Sequence, residues 1–226
     1  MTIPHAGVGH TLGPMRIAVI GTGVVGRTLA QAFQQAGHDV VVGTRDPGKT
    51  SGREEWAGLG VPLQPLATVA GEADLVVNAT SGGASLSALG EVGSEHLAGK
   101  VIVDVSNPLD FSQGFPPSLF VKDTDSLAEQ VQRAFPQARV VKALNTLNAD
   151  LMVEPQALGR STTVFVSGDD ADAKALVVDL LESFGHDDVI DLGGLETARG
   201  TEMLLPIWLR LMQALGTPKF NLKVVR

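Results

Sequence analysis

The chain contains no cysteine and no tyrosine in its 226 residues, and only 4% of it is aromatic. Without Cys there is no disulfide, no thiolate nucleophile, no iron–sulfur cluster and no Cys-ligated zinc. Without Tyr there is no phenolic general acid, which excludes the Tyr–Lys chemistry of short-chain dehydrogenases. Positive charge is also scarce: 17 Lys and Arg stand against 25 Asp and Glu, a formal net charge of −8. Nucleic acids and anionic membrane surfaces select basic faces, so neither is expected as a partner. No apolar run approaches the roughly 20 residues of a membrane-spanning helix. Residues 1–14, with His5 and His10, lack the basic and apolar regions of a signal peptide and read as a flexible tail. A cytoplasmic protein is the simplest expectation.

What is present is a 44% hydrophobic chain of a length that suits one domain. Short apolar runs alternate with helical patterns. RIAVI (16–20), DVVVG (39–43), ADLVVNAT (73–80), KVIVDV (100–105), RVVKA (139–143), TTVFVS (162–167) and VIDL (189–192) read as strands. Val25, Leu29, Ala32, Phe33 and Ala36 recur at helical spacing up to a terminating Gly37, and further helices are expected over 124–135 and 172–184. Residues 44–60 are polar and read as a loop with a short helix. Continuous apolar strands alternating with helices specify an α/β, doubly wound (Rossmann) parallel sheet. The expected organisation is a dinucleotide-binding domain over 15–193 and a C-terminal helical segment over 194–226. Within that segment 203–215 is so apolar that it is expected to be buried, in its own monomer or against a second copy.

Gly21-Thr22-Gly23-Val24-Val25-Gly26 follows the first strand and opens a helix, the setting that gives a G-x-G-x-x-G pattern meaning. Gly21 permits the tight turn, Gly23 admits a pyrophosphate close to the backbone, and Gly26 lets helix and strand approach. The N–H groups of Thr22 to Val25 and the positive helix end would hold the phosphates. Just past the second strand, where NAD-binding chains place an acid for the ribose hydroxyls, this chain has Thr44 and Arg45, with Lys49 one helical turn on. A hydroxyl and two cations describe a pocket for a 2′-phosphate, hence NADP, with Asp46 turned away to cap the following turn.

Several segments together resemble the coenzyme F420-dependent NADP reductases (NADPH:F420 oxidoreductases). They are GTGVVGR (21–27), GHDVVVGTR (37–45), VVNAT (76–80), DVSNPLDF (104–111), AFPQARVVKALNTLN (134–148), RGTEMLLPIWLRL (199–211) and KFNLKVVR (219–226). The resemblance implies hydride transfer between NADP(H) and the deazaflavin F420. It puts Asn145 and Leu147 beside the deazaflavin, Asn107 and Pro108 in the same cleft, Ala79, Thr80 and Ser81 at the ribose and nicotinamide, and Ala149 near the nicotinamide amide. Archaeal members carry His at the place matching Asn145, so no imidazole role transfers. Such a reaction asks for alignment and exclusion of water, with no acid–base pair at the reacting atoms, and positioning alone supplies roughly 7–11 kcal/mol. Lys142, Arg199, Lys219, Lys223 and Arg226 are candidates for a basic strip holding the anionic F420 tail. His38, His96 and His186 are expected at the surface, and a homodimer is expected. The alternative is an NADPH-dependent flavin or ferric reductase of the same fold.

Overall fold

Strand alternation divides the core into two layers. Ile17, Val19, Val40, Val42, Leu75 and Val77 point to one side of the sheet, and pack with Leu29 and Phe33 of one helix and Val177 and Leu181 of another. Ala18, Ile20, Val41, Val76 and Ile102 point to the other, against Leu66, Val69, Leu89 and Val131. A strand buried on both faces has no solvent side, so these runs are nearly continuously apolar and show no polar alternation.

The computed structural model describes residues 12–226. Most of the expected N-terminal tail, including His5 and His10, lies outside the described residues. The strands are β1 (Arg16–Ile20), β2 (Asp39–Thr44), β3 (Leu63–Pro65), β4 (Leu75–Asn78), β5 (Val101–Asp104), β6 (Leu109–Asp110), β7 (Ser118–Leu119), β8 (Arg139–Ala143), β9 (Val164–Gly168) and β10 (Val189–Asp191). The helices are α1 (Val24–Gln35), α2 (Pro47–Ser51), α3 (Leu66–Val69), α4 (Gly82–Val92), α5 (Ser94–Leu97), α6 (Leu127–Ala134), α7 (Ala149–Val153), α8 (Ala171–Ser183), α9 (Ala198–Met203) and α10 (Leu205–Leu215).

Eight strands form one sheet in the order β10-β9-β8-β5-β4-β1-β2-β3, with β6 and β7 as a separate two-stranded hairpin. The fold is the expected α/β Rossmann type, with one departure: β9 pairs antiparallel with β8, and β10 runs parallel to β9. A parallel partner needs a crossover long enough to return to the starting edge. The β8–β9 connection holds α7 and a 3-10 turn at Pro155–Leu158, and the chain re-enters the sheet beside β8 in the opposite direction. The order reverses on either side of β1, so β1 and β4 flank the switch point where this class binds its ligands.

The C-terminal segment departs from its expected burial. Leu204 separates α9 from α10, with Pro206 in the first turn of α10, and only Leu205 and Leu209 of α10 are buried, while Met203, Ile207 and Leu215 are exposed. Beyond α10, Phe220 stacks on Trp208 with ring centroids 5.2 Å apart. The last residues lie along the start of β9: Thr163 N–H donates to the Leu222 carbonyl at 2.9 Å, and Val224 N–H to Thr163 Oγ1 at 2.9 Å. Two histidines expected at the surface are buried instead. His38 Nδ1 accepts from Met15 N–H at 3.2 Å, and His186 Nε2 meets the Met152 carbonyl at 3.0 Å.

Candidate functional site

At the carboxyl ends of β1, β2 and β4 lies a cleft of about 680 Å³. Its lining brings together Gly21, Thr22 and Gly23, then Thr44, Arg45 and Lys49, then Ala79, Thr80 and Ser81, three stretches far apart in sequence that were each expected at a nucleotide. The glycine turn explains its own composition. Gly21 has φ +127°, and a Cβ there would strike the Ala79 carbonyl; a Cβ at Gly26 would strike the Gly21 carbonyl. Those two glycines let turn, helix and β4 close on one another. Gly23 faces open space, so its missing side chain leaves room on the cleft side. Val24 is exposed and Val25 half-buried at the opening of α1, while Gly26 is buried, a packing residue rather than a lining one.

Helix α1 begins with no capping side chain and no acid in its first turn, so its free N–H groups and positive end face the cleft without an internal counter-charge. Asp46 is turned away as expected: it caps α2 by accepting from Lys49 N–H at 2.9 Å. Arg45 and Lys49 are exposed and form no ion pair among the described residues. Thr44 is buried, and its hydroxyl is shared with Thr50 Oγ1 at 2.8 Å, so it supports the turn as much as it faces the cleft. Unpaired cations, a bare helix end and space over Gly23 fit an anionic dinucleotide bearing an extra phosphate. Thr80 is oriented by Asn78, donating to its Oδ1 at 2.8 Å, and shares a hydrogen with Ser85 at 2.8 Å.

Asn107, Pro108, Asn145, Leu147 and Ala149 do not line this cleft. They stand at the ends of β5 and β8, farther along the sheet, where all but Asn107 are buried. Asn107 Nδ2 donates to the Asn145 carbonyl at 2.8 Å, and Asn145 Nδ2 donates to Asn107 Oδ1 at 2.9 Å and to the Thr201 carbonyl at 3.1 Å. The two carboxamides are therefore locked to each other and to α9. Leu144, at φ +60°, turns the chain from β8 into this contact. Leu147 packs into the core.

Sequence reasoning missed the charge beneath this pair. Lys142, a candidate for the basic strip, is fully buried; its Nζ lies 2.8 Å from Asp104 and 2.8 Å from Glu202, and donates to the Ser106 carbonyl at 2.5 Å. Burial pulls the Lys142 pKa down, but the two carboxylates outweigh it and hold the pKa above the ordinary lysine value. Asp104 also accepts from Asn78 at 2.8 Å and from the Ser106 hydroxyl at 2.6 Å, and Glu202 accepts the first two N–H groups of α6 at 2.8 and 3.1 Å. The other cations of the supposed strip are likewise engaged: Arg199 with Glu129, Lys219 with Asp150, and Lys223 and Arg226 with Asp188. No continuous basic strip exists among the described residues. Arg53, also unforeseen, lines the cleft; the sequence showed a third cation in 44–60 but not that it reaches back to the glycine turn.

Comparison with known proteins adds to this geometry. Residues 16–108 match the family described as NADP oxidoreductase, coenzyme F420-dependent. The chain is 30% identical over 208 residues to the F420-dependent NADP reductase of Methanothermobacter marburgensis, covering 87% of this chain and 92% of that one. It is 32% identical over 198 residues to the metalloreductase STEAP3 of Rattus norvegicus, a match covering 85% of this chain, which spans only 38% of that relative's length. A crystal structure from Arthrobacter sp. FB24, a candidate F420-dependent NADP-reductase, superposes with a TM-score of 0.91 at 57% identity, covering 94% of this chain and 100% of the other.

Proposed function

The chain belongs to the coenzyme F420-dependent NADP oxidoreductase family, and from that premise we propose that it passes a hydride between NADP(H) and coenzyme F420. When bound, the nicotinamide and deazaflavin rings supply the donor and acceptor carbons, so the chain's own task is to hold and dry them. Arg45 and Lys49 take the 2′-phosphate; the Thr22–Val25 N–H groups and the positive end of α1 take the pyrophosphate. Thr80, fixed by Asn78, positions the ribose and nicotinamide end, with Ala79 and Ser81 beside it. The interlocked Asn107 and Asn145, with Pro108, Leu147 and Ala149 around them, form a rigid, water-poor wall for the deazaflavin. Such rigidity matters because a small misplacement of the two rings costs much of the advantage of alignment.

The observation that carries the NADP part of this reading is Arg45 and Lys49 past the end of β2, with no ion pair among the described residues, beside an uncapped α1 at the switch point of the sheet. The test is NADPH oxidation followed with F420, FMN and FAD offered in turn. Turnover with F420 is expected; turnover with FMN but not F420 would replace this reading with the second one, a flavin or ferric reductase, which the 32% identity to a metalloreductase supports. We further propose that the enzyme acts as a cytoplasmic homodimer, its exposed Met203, Ile207 and Leu215 covered by a second copy. Sedimentation equilibrium giving only the monomer mass would refute the dimer.

A further inference from the structure

We propose that Arg53 is a third phosphate-binding cation of the nucleotide cleft and that it serves the pyrophosphate, not the 2′-phosphate. The proposal rests on the NADP reading above. Arg53 follows Gly52, which ends α2, and precedes the 3-10 turn Glu54–Trp56, whose Trp56 is buried. Its own N–H donates to the Thr50 carbonyl at 3.1 Å. The backbone is thus anchored on both sides while the side chain is exposed. The guanidinium crosses the cleft mouth: Nη1 lies 3.4 Å from Thr22 Oγ1, in the glycine turn 31 residues earlier.

The direction of that reach separates it from its neighbours. Arg45 stands on the β2–α2 turn and Lys49 in α2, whereas Arg53, just past α2, reaches to the turn at which α1 points its positive end. Nearby carboxylates do not claim it: Glu55 lies 3.9 Å from Arg27, and Arg53 has no ion pair among the described residues. The 3.4 Å contact with a neutral hydroxyl is at the weak limit, and a phosphate oxygen would offer a shorter, charge-assisted bond of about 2.7–2.9 Å.

Charge balance points the same way. The cleft lining holds three cations, Arg45, Lys49 and Arg53, and two carboxylates, Asp46 and Glu91. Removing Arg53 leaves two of each, so a ligand carrying a pyrophosphate and a 2′-phosphate would enter a cleft whose lining side chains have no net charge. The helix end supplies only about half an elementary charge toward the pyrophosphate. Arg53 makes up the difference there.

The experiment is titration of the protein with NADPH and with NADH, by calorimetry or nicotinamide fluorescence, for wild type, Arg53→Gln and Arg45→Gln. Arg53→Gln is expected to raise both dissociation constants by a similar factor, on the order of tenfold, or about 1.4 kcal/mol. The wild-type NADPH-to-NADH ratio should persist, while Arg45→Gln weakens NADPH alone. Arg53→Lys, which keeps the charge, should recover part of the lost affinity for both nucleotides. The proposal fails if Arg53→Gln leaves both constants within about twofold of wild type, or if it acts on NADPH only. A wild-type protein that bound neither nucleotide would instead overturn the NADP reading itself. Circular dichroism of the variants separates either result from misfolding.

Discussion

The cationic cleft at the ends of β1, β2 and β4 and the buried triad at the ends of β5 and β8 both concentrate charge along the sheet's carboxyl edge, but they are built by opposite rules. In the cleft, Arg45, Lys49 and Arg53 are solvated and lack carboxylate partners among the described residues. In the triad, Lys142 has both carboxylates and a carbonyl around its ammonium, and the carboxylates are in turn supplied with donors from Asn78, Ser106 and the start of α6. The cleft keeps its charges uncommitted for a ligand; the triad spends its charges on joining β4, β5, β8, α6 and α9. Charge alone therefore does not mark a binding site. Whether the protein has already satisfied it does.

That contrast can be broken first at the triad. Lys142→Met leaves two buried carboxylates without their cation, and Glu202→Gln leaves the cation half-compensated. Either is expected to cost about 3–5 kcal/mol of unfolding free energy in urea titrations. A loss below about 1 kcal/mol would mean that the triad is no more than a solvated pair. The complementary change, Arg45→Ala with Lys49→Ala, should leave stability within about 0.5 kcal/mol of wild type, since both residues are exposed. It should raise the NADPH dissociation constant by roughly a hundredfold, about 2.7 kcal/mol, in direct binding. A stable variant that bound NADPH as well as wild type would move the 2′-phosphate away from β2.

The smallest effect sharpens the comparison from the side of burial alone. His186 donates from Nε2 to the Met152 carbonyl, and its Nδ1 is buried with no partner, so a second proton would arrive with nothing to receive it. Burial lowers the pKa, with the Met152 carbonyl opposing it. A lowered native pKa means that the unfolded chain binds the proton more readily. His186 therefore contributes stability that is full above the unfolded value of about 6.5 and is lost as pH falls below it. Unfolding free energies at pH 7 and pH 5 should differ less in His186→Gln than in wild type; equal differences would assign the acid sensitivity elsewhere.

Local pattern carried much of this molecule. Arg16–Ile20 and Arg139–Ala143 were legible to the residue, because each opens on a half-buried Arg and then runs through buried Val, Ile or Ala, broken only by Lys142. The convergence of Gly21, Gly23, Arg45 and Lys49 on one cleft was legible for a related reason: they lie in short segments at the carboxyl ends of two neighbouring strands, β1 and β2. Helix α4 escaped because Gly82, Gly83 and Ser85 have low intrinsic helicity and α4 holds its place by packing, with Gly82 pressed against the Asn107 carbonyl. The triad escaped because nothing in the sequence tells a Lys at the end of a strand that Glu202, 60 positions later, will meet it. The basic strip failed for the same reason: each cation's acid partner lies in a segment distant from it or was invisible as a partner until the chain folded.

Helix α1 opens with neither a capping side chain nor an acid in its first turn. A helix so begun is left short of acceptors, and an incoming diphosphate would complete it as a cap from outside the chain. Nucleotide occupancy and the folding of the domain would then be linked: a cofactor that binds only the native state raises the transition temperature as its concentration rises above its dissociation constant.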